Sequence, residues 1–488
     1  MNTATVNSGN FYNYGTVDAA TVNDSGQFLN FYGGTVNIAT VNDGYFGNYG
    51  TVDAATVNDS GQFLNFYGGT VNTATVNGGR FVNDGGTVNT ATVSGGGFTN
   101  YDGGTVNTAT VSGGGFTNYY GGTVNIATVN DGEFGNIGTV NSATVNGGLF
   151  HNGNEGTVDT VAVSDSGYFY NYGTVDAATV NDSGQFLNYY GGTVNIATVN
   201  DGEFGNYGTV DAATVNDSGQ FLNDYTGTVN TATLSGNGYF SNNGGTVNTA
   251  TLNSGYFINW TGTVDSATVS GGEFRNGSGN LLLYSTVNTT IVNDSGQFFN
   301  DGTVNTATLN SGDFSNNGTV NSALLFGGSY KGSGYTDNLY VGEGGTLDTG
   351  LYTGTIGNLT FAPGGLLLID GTSLDDFNQV NIESSVDLTG AAVQLGFLSS
   401  SVFVPDFRID LASLFNFVGD DAGFATENWW EEIASVGLVQ AGEVFNLYSH
   451  GNGWFGLQEA GGSETPEPAT LLILGLGLAG LGLARRKR

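Results

Sequence analysis

Side chains that commonly carry catalysis are scarce in this chain. It has two histidines, His151 and His450, no cysteine, and eight lysines and arginines against 43 aspartates and glutamates. Serine and aspartate are abundant, but no nucleophile, base and orienting group recur together, and neither G-x-S-x-G nor H-E-x-x-H occurs. His151 takes an outward position that is Leu, Tyr, Gly or Thr in other repeats. The sequence therefore predicts a protein that is not an enzyme, with no catalytic, cofactor or metal site.

Two alternatives to this interpretation involve carboxylates. A polysaccharide lyase or hydrolase would need carboxylates and basic residues clustered in a groove, yet Arg80 and Arg275 are the only basic residues in 1–326. The corners Asn-Asp-Ser-Gly and Asn-Asp-Gly could hold calcium, but the Gly-Gly-x-Gly-x-Asp pattern of calcium-binding repeats is missing. We interpret these aspartates as solvated turn residues.

The C-terminal segment carries the most specific pattern. Pro466, Glu467 and Pro468 precede the apolar stretch ATLLILGLGLAGLGLA, and a basic cluster follows it. An apolar run with a basic end stops transfer with that end in the cytoplasm, which predicts a C-terminal transmembrane helix with the upstream chain outside. The run is shorter than the roughly 20 residues of a permanent span, which suits a transient anchor. The basic cluster consists of Arg485, Arg486, Lys487 and Arg488.

Together, the Pro-Glu-Pro motif, apolar helix and arginine cluster resemble the PEP-CTERM sorting signal of Gram-negative bacteria, a family also catalogued under an ice-binding protein C-terminal label. The resemblance implies that an exosortase-type transpeptidase recognises the tail and cuts near the motif. It also implies delivery to the cell surface or extracellular matrix. A Sec signal peptide is expected in that family, but Met1 opens within a repeat. We therefore expect the natural start to lie upstream.

The upstream chain is repetitive. Residues 1–326 contain about eighteen copies of a unit of about seventeen residues, seen clearly in GTVNTATVSGGGFTN at 86–100. Such a period is typical of a solenoid, in which each unit is one coil stacked on its neighbours. Some copying has high fidelity, since 16–50 and 174–208 differ at only two positions. Copying of this kind favours selection for reach or surface multiplicity over selection for a pocket.

Spacing within the unit predicts the shape of a coil. Parity places Val88, Ala91 and Val93 inward and the threonine before Val93 outward, with a corner at the Asn or Asp that follows the first valine. Phe98 lies on a third side. The asparagine two residues after each such phenylalanine has inward parity, which predicts buried amides that hydrogen-bond from coil to coil.

The predicted fold is all-β. Unequal sides and a drifting period favour a right-handed parallel β-helix solenoid over a left-handed hexapeptide helix. We predict a repeat array over 1–326, irregular mostly-β coils and a cap over 327–463, and the sorting segment over 464–488. The run GNLTFAPGGLLLIDG, continued by DDFNQVNIESSVDLTGAAVQL, resembles the closing coils of autotransporter-like β-helix passengers. Within the cap, 406–423 and 424–437 are predicted to form short helices.

Composition and charge limit the classes of partner that the chain can bind. The formal charge is −35 with only 10% charged residues, and no basic groove is available for nucleic acid. Extracellular polysaccharide or other surface proteins fit better. Pairs such as Thr73/Thr75 and Thr90/Thr92 predict outward threonine rows, one continuous and one broken, which resemble those of ice-binding solenoids. The sequence thus predicts an exported structural or adhesive repeat protein, with a solenoid that binds ice or glycan through threonine as the alternative.

Overall fold

The fold was analysed in a computed structural model. The chain divides into two compact units, Met1–Thr249 (the N-terminal unit) and Ala250–Arg488 (the C-terminal unit). In both units, strands of one coil pair in parallel with equivalent strands of the next coil. The structure describes residues 1–277, 285–373, 376–397, 408–419, 422–426, 429–431, 433–440 and 443–456.

The strands of the N-terminal unit alternate between a Thr-Val side and a Phe side, and four of them run through both sides. In chain order the strands are Thr3–Asn13, Thr16–Asn30, Thr35–Val41, Tyr45–Asn48, Thr51–Val57, Gln62–Asn65, Thr70–Val76, Arg80–Asp84, Thr87–Val93, Gly97–Tyr101, Thr105–Asn118, Thr123–Asn136, Thr139–Val145, Leu149–Asn152, Thr157–Val163, Tyr168–Asn171, Thr174–Val180, Gln185–Asn188, Thr193–Val199, Glu203–Asn206, Thr209–Val215, Gln220–Asp224, Thr228–Leu234, Tyr239–Asn243 and Thr246–Leu252.

The last of these strands contains the division between the units. The strands of the C-terminal unit are Tyr256–Asn259, Thr263–Val269, Glu273–Asn276, Thr286–Val292, Gln297–Asn300, Thr303–Leu309, Asp313–Asn316, Thr319–Leu325, Ser329–Gly332, Tyr335–Val341, Thr346–Tyr352, Thr355–Phe361, Leu366–Ser373, Asp376–Phe377, Val380–Asp387, Ala392–Phe397, Arg408–Asp410, Phe415–Phe417, Gly423–Phe424, Ser435–Gln440, Glu443–Asn446, Tyr448–Gly451 and Trp454–Gly456, with 3₁₀ helices at Leu411–Leu414 and Trp429–Glu431.

The repeat coils from Val17 to Asn316 bury the same five positions. In one coil these are Val88, Ala91, Val93, Phe98 and Asn100, all at most 1% exposed. The pairing between coils skips the Asn that follows the first valine, where the chain turns its corner. The predicted inward parity and parallel solenoid are therefore confirmed, whereas the right-handed sense of the coil stays a prediction.

The core phenylalanines stack ring on ring. Neighbouring rings in the N-terminal unit, such as Phe98 and Phe116, lie nearly parallel with centroids 4.6 Å apart. In the C-terminal unit the same geometry holds between Phe257 and Phe274, at 4.5 Å. Stacked aromatic pairs stabilise beyond the area they bury, by about 0.5–1.5 kcal/mol each. The stack also sets a distance between coils that suits backbone pairing, at about 4.8 Å.

The asparagine side chains form a buried ladder beside the rings. Asn118 Nδ2 donates to Asn136 Oδ1 at 2.8 Å and lies 3.1 Å from the carbonyl oxygens of Gly122 and Thr139. Its own Oδ1 accepts from Asn100 Nδ2 at 2.8 Å. The predicted burial and stacking of these asparagines is confirmed from Asn13 to Asn242 in one unit and from Asn259 to Asn316 in the other.

The glycine before most Thr-Val pairs has a role that the sequence did not indicate, although Ser285 takes this position before Thr286. A Cβ built on Gly104 would lie 2.4 Å from Asn100 Oδ1 and 2.8 Å from Asn83 Nδ2. Gly122 and Gly86 show the same close approach to their ladder amides. The φ angles of these three glycines are not positive, so their backbone conformation does not call for glycine. The lack of space for a Cβ does.

Two further amide ladders run along the surface. In one, the corner residues pair between coils, as Asn107 Nδ2 donates to Asn89 Oδ1 at 2.8 Å. In the other ladder, the residues that follow the second valine of each coil pair between coils, as Asn42 Nδ2 donates to Asn23 Oδ1 at 2.7 Å. Both surface ladders donate toward the N-terminal neighbour, whereas the buried ladder donates toward the C-terminal neighbour.

In the C-terminal unit, a hydroxyl cluster meets the last asparagine of the buried ladder. Asn316 Nδ2 donates to Thr336 Oγ1 at 3.3 Å and to the Tyr335 carbonyl oxygen at 3.0 Å. Thr336 Oγ1 lies 2.7 Å from the Tyr330 hydroxyl and 3.0 Å from the Tyr352 hydroxyl. The buried amide thus finds partners where the repeat changes.

The predicted helices at 406–423 and 424–437 are wrong. The described parts of both ranges hold one short 3₁₀ helix each and otherwise pair as strands, with Phe415–Phe417 parallel to Val380–Asp387. Phe424 stacks on Trp429, with ring centroids 3.9 Å apart. Pairing to an open sheet edge outweighs weak helix propensity here.

The first prediction concerns the buried ladder. Asn118→Leu should lower the free energy of unfolding by roughly 1–3 kcal/mol, because the amides of Asn100 and Asn136 lose a buried partner. Asn141→Leu is the matched control, since Asn141 is exposed and donates only in a surface ladder, to Asn125 at 2.9 Å. Its effect should stay within about 0.5 kcal/mol. Urea denaturation of the two variants provides the measurement, and equal effects would contradict the assignment.

A second prediction follows from the hydroxyl cluster. Burial, opposed by hydrogen bonds from neighbouring side chains, raises the pKa of Tyr352 to about 12, and burial raises the pKa of Tyr330 in the same direction. A raised folded-state pKa gives stability that is complete below about pH 10 and is lost between about pH 10 and pH 12. At a pH of about 11, the raised pKa of Tyr352 alone should lower the free energy of unfolding by about 1.4 kcal/mol relative to neutral pH.

Urea denaturation at a series of alkaline pH values tests this expectation. The Tyr352→Phe variant should lose less stability between about pH 9 and pH 11 than the parent protein, because phenylalanine has no proton to release. The comparison uses the slope with pH, so a lower overall stability of the variant does not affect it. Identical slopes in the two proteins would show that Tyr352 ionises as readily in the folded chain as in the unfolded chain.

Candidate binding faces and the sorting segment

The outward threonines lie on one face of each unit. Lateral pairing brings Thr73 beside Thr90 and Thr90 beside Thr108, in a row that ends where Ile126 pairs with Thr108. The row two residues further along each strand runs through Thr75, Thr92 and Thr110.

The expectation that this second row is continuous is wrong. Ala162 stands beside Thr144, and in the C-terminal unit Ile291 stands beside Thr308. Both threonine rows are therefore interrupted.

A row of exposed tyrosines occupies the corner after the Phe side in the N-terminal unit. Four of them lie in corners of the form Asn-x-Tyr-Gly-Gly, and Tyr225 lies in the related corner Asn-Asp-Tyr-Thr-Gly. We call these residues the tyrosine stripe. In one such corner the Gly34 N–H donates to the Phe31 carbonyl at 2.8 Å, and Gly33 has φ of 81°. A β-turn with glycine at the third position and positive φ projects the preceding side chain outward. The stripe consists of Tyr32, Tyr67, Tyr120, Tyr190 and Tyr225, all more than half exposed.

Neighbouring coils hold these rings along the corner. The Tyr32 hydroxyl donates to the Tyr67 carbonyl oxygen at 3.4 Å, two coils further on. A Cβ on Gly85 would lie 2.1 Å from the Tyr67 ring, so that ring rests directly on backbone. This stripe was not predicted from the sequence. The signal was the recurrence of Tyr-Gly-Gly at the side that varies most in length.

A groove of about 320 Å³ opens beside the stripe. Burial, followed by the charges of Asp84 and Asp102, raises the pKa of Tyr101, and the Arg80 guanidinium opposes this shift. The Arg80 guanidinium, the Asp102 carboxylate and phenol hydroxyls therefore lie together on an aromatic surface. Its lining consists of Arg80, Thr99, Tyr101, Asp102, Tyr119 and Tyr120.

The residues weighed for catalysis do not come together. His151 is half-buried on the Phe side and touches the Tyr172 ring edge-on, with centroids 5.1 Å apart. Asp59 and the equivalent aspartates of the other Asn-Asp-Ser-Gly corners adopt positive φ angles of 45–52° at exposed turns. Across the described residues, no group of three or more His, Cys, Asp or Glu side chains is arranged to hold a metal ion.

The sorting residues lie outside the described residues. This applies to Pro466, Glu467, Pro468, the basic cluster at 485–488 and the predicted transmembrane helix before it. Within the part of the chain that the structure describes, none of the helices has the length and apolar character needed to cross a membrane.

Comparison with known proteins adds one match. No curated protein matches the chain. Residues 464–488 match the model of the PEP-CTERM protein-sorting motif. This motif indicates export and sorting to the cell surface by an exosortase. The chain thus combines a parallel β-solenoid with a C-terminal PEP-CTERM protein-sorting motif.

Proposed function

We propose that this protein is a non-enzymatic component of the cell surface or extracellular matrix, with a structural or adhesive role. The supporting observation is that successive coils bury the same five positions and present nearly the same outward residues. Such an array multiplies one surface along its length, whereas a catalytic pocket needs a unique arrangement at one place.

The proposal includes a division of the chain. Residues 1–326 form the repeat array, 327–463 form the terminal coils and cap, and 464–488 form the sorting segment of a protein from a Gram-negative bacterium. In the precursor, the apolar helix holds the chain in the membrane until the exosortase acts at Pro466, Glu467 and Pro468. The basic cluster keeps the end of that helix in the cytoplasm.

An experiment on array length tests the structural or adhesive role. Deleting residues 174–208, which repeat the segment 16–50 with two differences, shortens the array by two coils. We expect the deletion variant to reach the matrix fraction and to support attachment of cells in a graded, reduced manner. The matched control deletes 51–85, another two-coil segment. Attachment that is unchanged when the whole protein is removed would contradict the role, as would release of reducing sugars by the purified protein.

The sorting segment yields a separate prediction. Replacing Arg485, Arg486, Lys487 and Arg488 by serine should leave the precursor uncleaved or mislocalised, because no charge then holds the helix end in the cytoplasm. Replacing the three arginines by lysine keeps the charge and is the control. In a host that contains an exosortase, mass spectrometry of the parent protein recovered from the cell surface should show that its chain ends near residues 466–468. Intact Arg488 on most surface-exposed parent protein would reject processing.

A solenoid that binds ice through threonine is the second candidate. It is favoured by the lateral register of Thr73, Thr90 and Thr108 and of the row beside them. The interruptions at Ile126 and Ala162 limit the length of any regular threonine lattice. Inhibition of ice recrystallisation by the purified protein, lost in Thr90→Val, would favour this function over the first.

A further inference from the structure

We propose that the tyrosine stripe and the groove beside it bind a neutral polysaccharide chain. This inference rests on the adhesive role proposed above and gives that role a ligand class and a site. It places the contact at the aromatic corner of the N-terminal unit, rather than on the threonine face.

The first observation in favour of this site is that the exposed tyrosine rings are held in place by contacts with the backbone. Tyr32 is 68% exposed and Tyr120 is 55% exposed, so both rings present a large free surface. Tyr67 rests on Gly85, and Tyr32 reaches the backbone two coils away. A supported ring loses little conformational entropy when a ligand covers its free face. Such faces suit the apolar C–H face of a pyranose ring.

Spacing is the second support. The stripe tyrosines of the first coils, Tyr32 and Tyr67, stand two coils apart, which corresponds to roughly 9.6 Å at the usual distance between paired strands. The later stripe tyrosines follow at intervals of three, four and two coils. Rings placed along one corner in this way suit an extended polymer, which can contact several of them at once. A compact ligand would use one ring and leave the others without a role.

Charge decides between neutral and anionic polymers. Arg80 is the only arginine or lysine in the N-terminal unit, and Asp84 and Asp102 lie close enough to Tyr101 to affect its pKa. The groove therefore offers hydrogen-bond donors and acceptors together, as sugar hydroxyls require, without net positive charge. A uronate or sulfate polymer would meet an acidic surface along the remaining coils.

The test uses the full chain and measures binding to insoluble cellulose, chitin and starch, with soluble polygalacturonate as the anionic probe. We expect binding to at least one neutral polymer. The Tyr119→Ala/Tyr120→Ala variant should bind roughly tenfold more weakly, because two stacking surfaces are lost. The Tyr119→Phe/Tyr120→Phe variant should retain most binding, because both rings remain.

The matched control is Tyr168→Ala, which removes an exposed tyrosine that lies before Phe169, outside the corner and outside the stripe. It should bind as the parent does. Circular dichroism confirms that each variant is folded. Sedimentation of the parent and the alanine variants tests whether the stripe instead joins two copies of the chain.

Four outcomes would overturn the inference. They are absence of binding to all three neutral polymers, equal binding by the Tyr119→Ala/Tyr120→Ala variant, preference for polygalacturonate, and self-association that this variant abolishes. None of these outcomes touches the proposed role itself, because attachment that depends on array length would still stand. If attachment did not depend on array length but polymer binding remained intact, the adhesive role would be rejected and the polysaccharide site would stand.

Discussion

Each repeat coil places its core residues on identical or similar residues of the neighbouring coils. This requirement is strictest for the buried asparagine amide. Asn118 needs an acceptor on the next coil and a donor on the previous one, and both are asparagines at the same position. A buried amide without these partners would be costly. The neighbouring glycine leaves room for the amide, because a Cβ on Gly104 would lie 2.4 Å from Asn100 Oδ1. Repetition in the sequence is therefore a chemical requirement of the core.

The variable corner follows from the same constraint. The residues between the ladder asparagine and the next Thr-Val pair contribute no side chain to the five buried positions. Additional residues there extend outward, as Tyr32 and Gly33 do, and leave the amide and the rings in register. Coils can therefore acquire different surfaces at this corner at little cost to the core, and this is where the tyrosine stripe is found.

Period and parity were sufficient to predict the parallel solenoid, its inward Val, Ala and Phe, and the buried asparagines. They were insufficient for features that depend on contact between coils, such as the approach of Gly104 to Asn100 or the surface ladder through Asn107. Outside the repeats, local composition near Phe415 and Trp429 suggested helices. There the sheet edge and an aromatic stack determined the outcome, and neither is visible in a short window of sequence.

The direction of the corner ladder limits how such a chain can lengthen. Each corner amide donates to the preceding coil, as Asn37 does to Asp18 and Asn195 does to Asp176. A carboxylate has no hydrogen to donate, so an aspartate coil is best followed by an asparagine coil. The copied segment 16–50 contains one coil of each kind in that order. Duplication of the pair keeps each aspartate beside an asparagine that donates to it, whereas duplication of the aspartate coil alone would place two carboxylates face to face. Copying two coils at once therefore avoids a repulsive contact in the corner ladder.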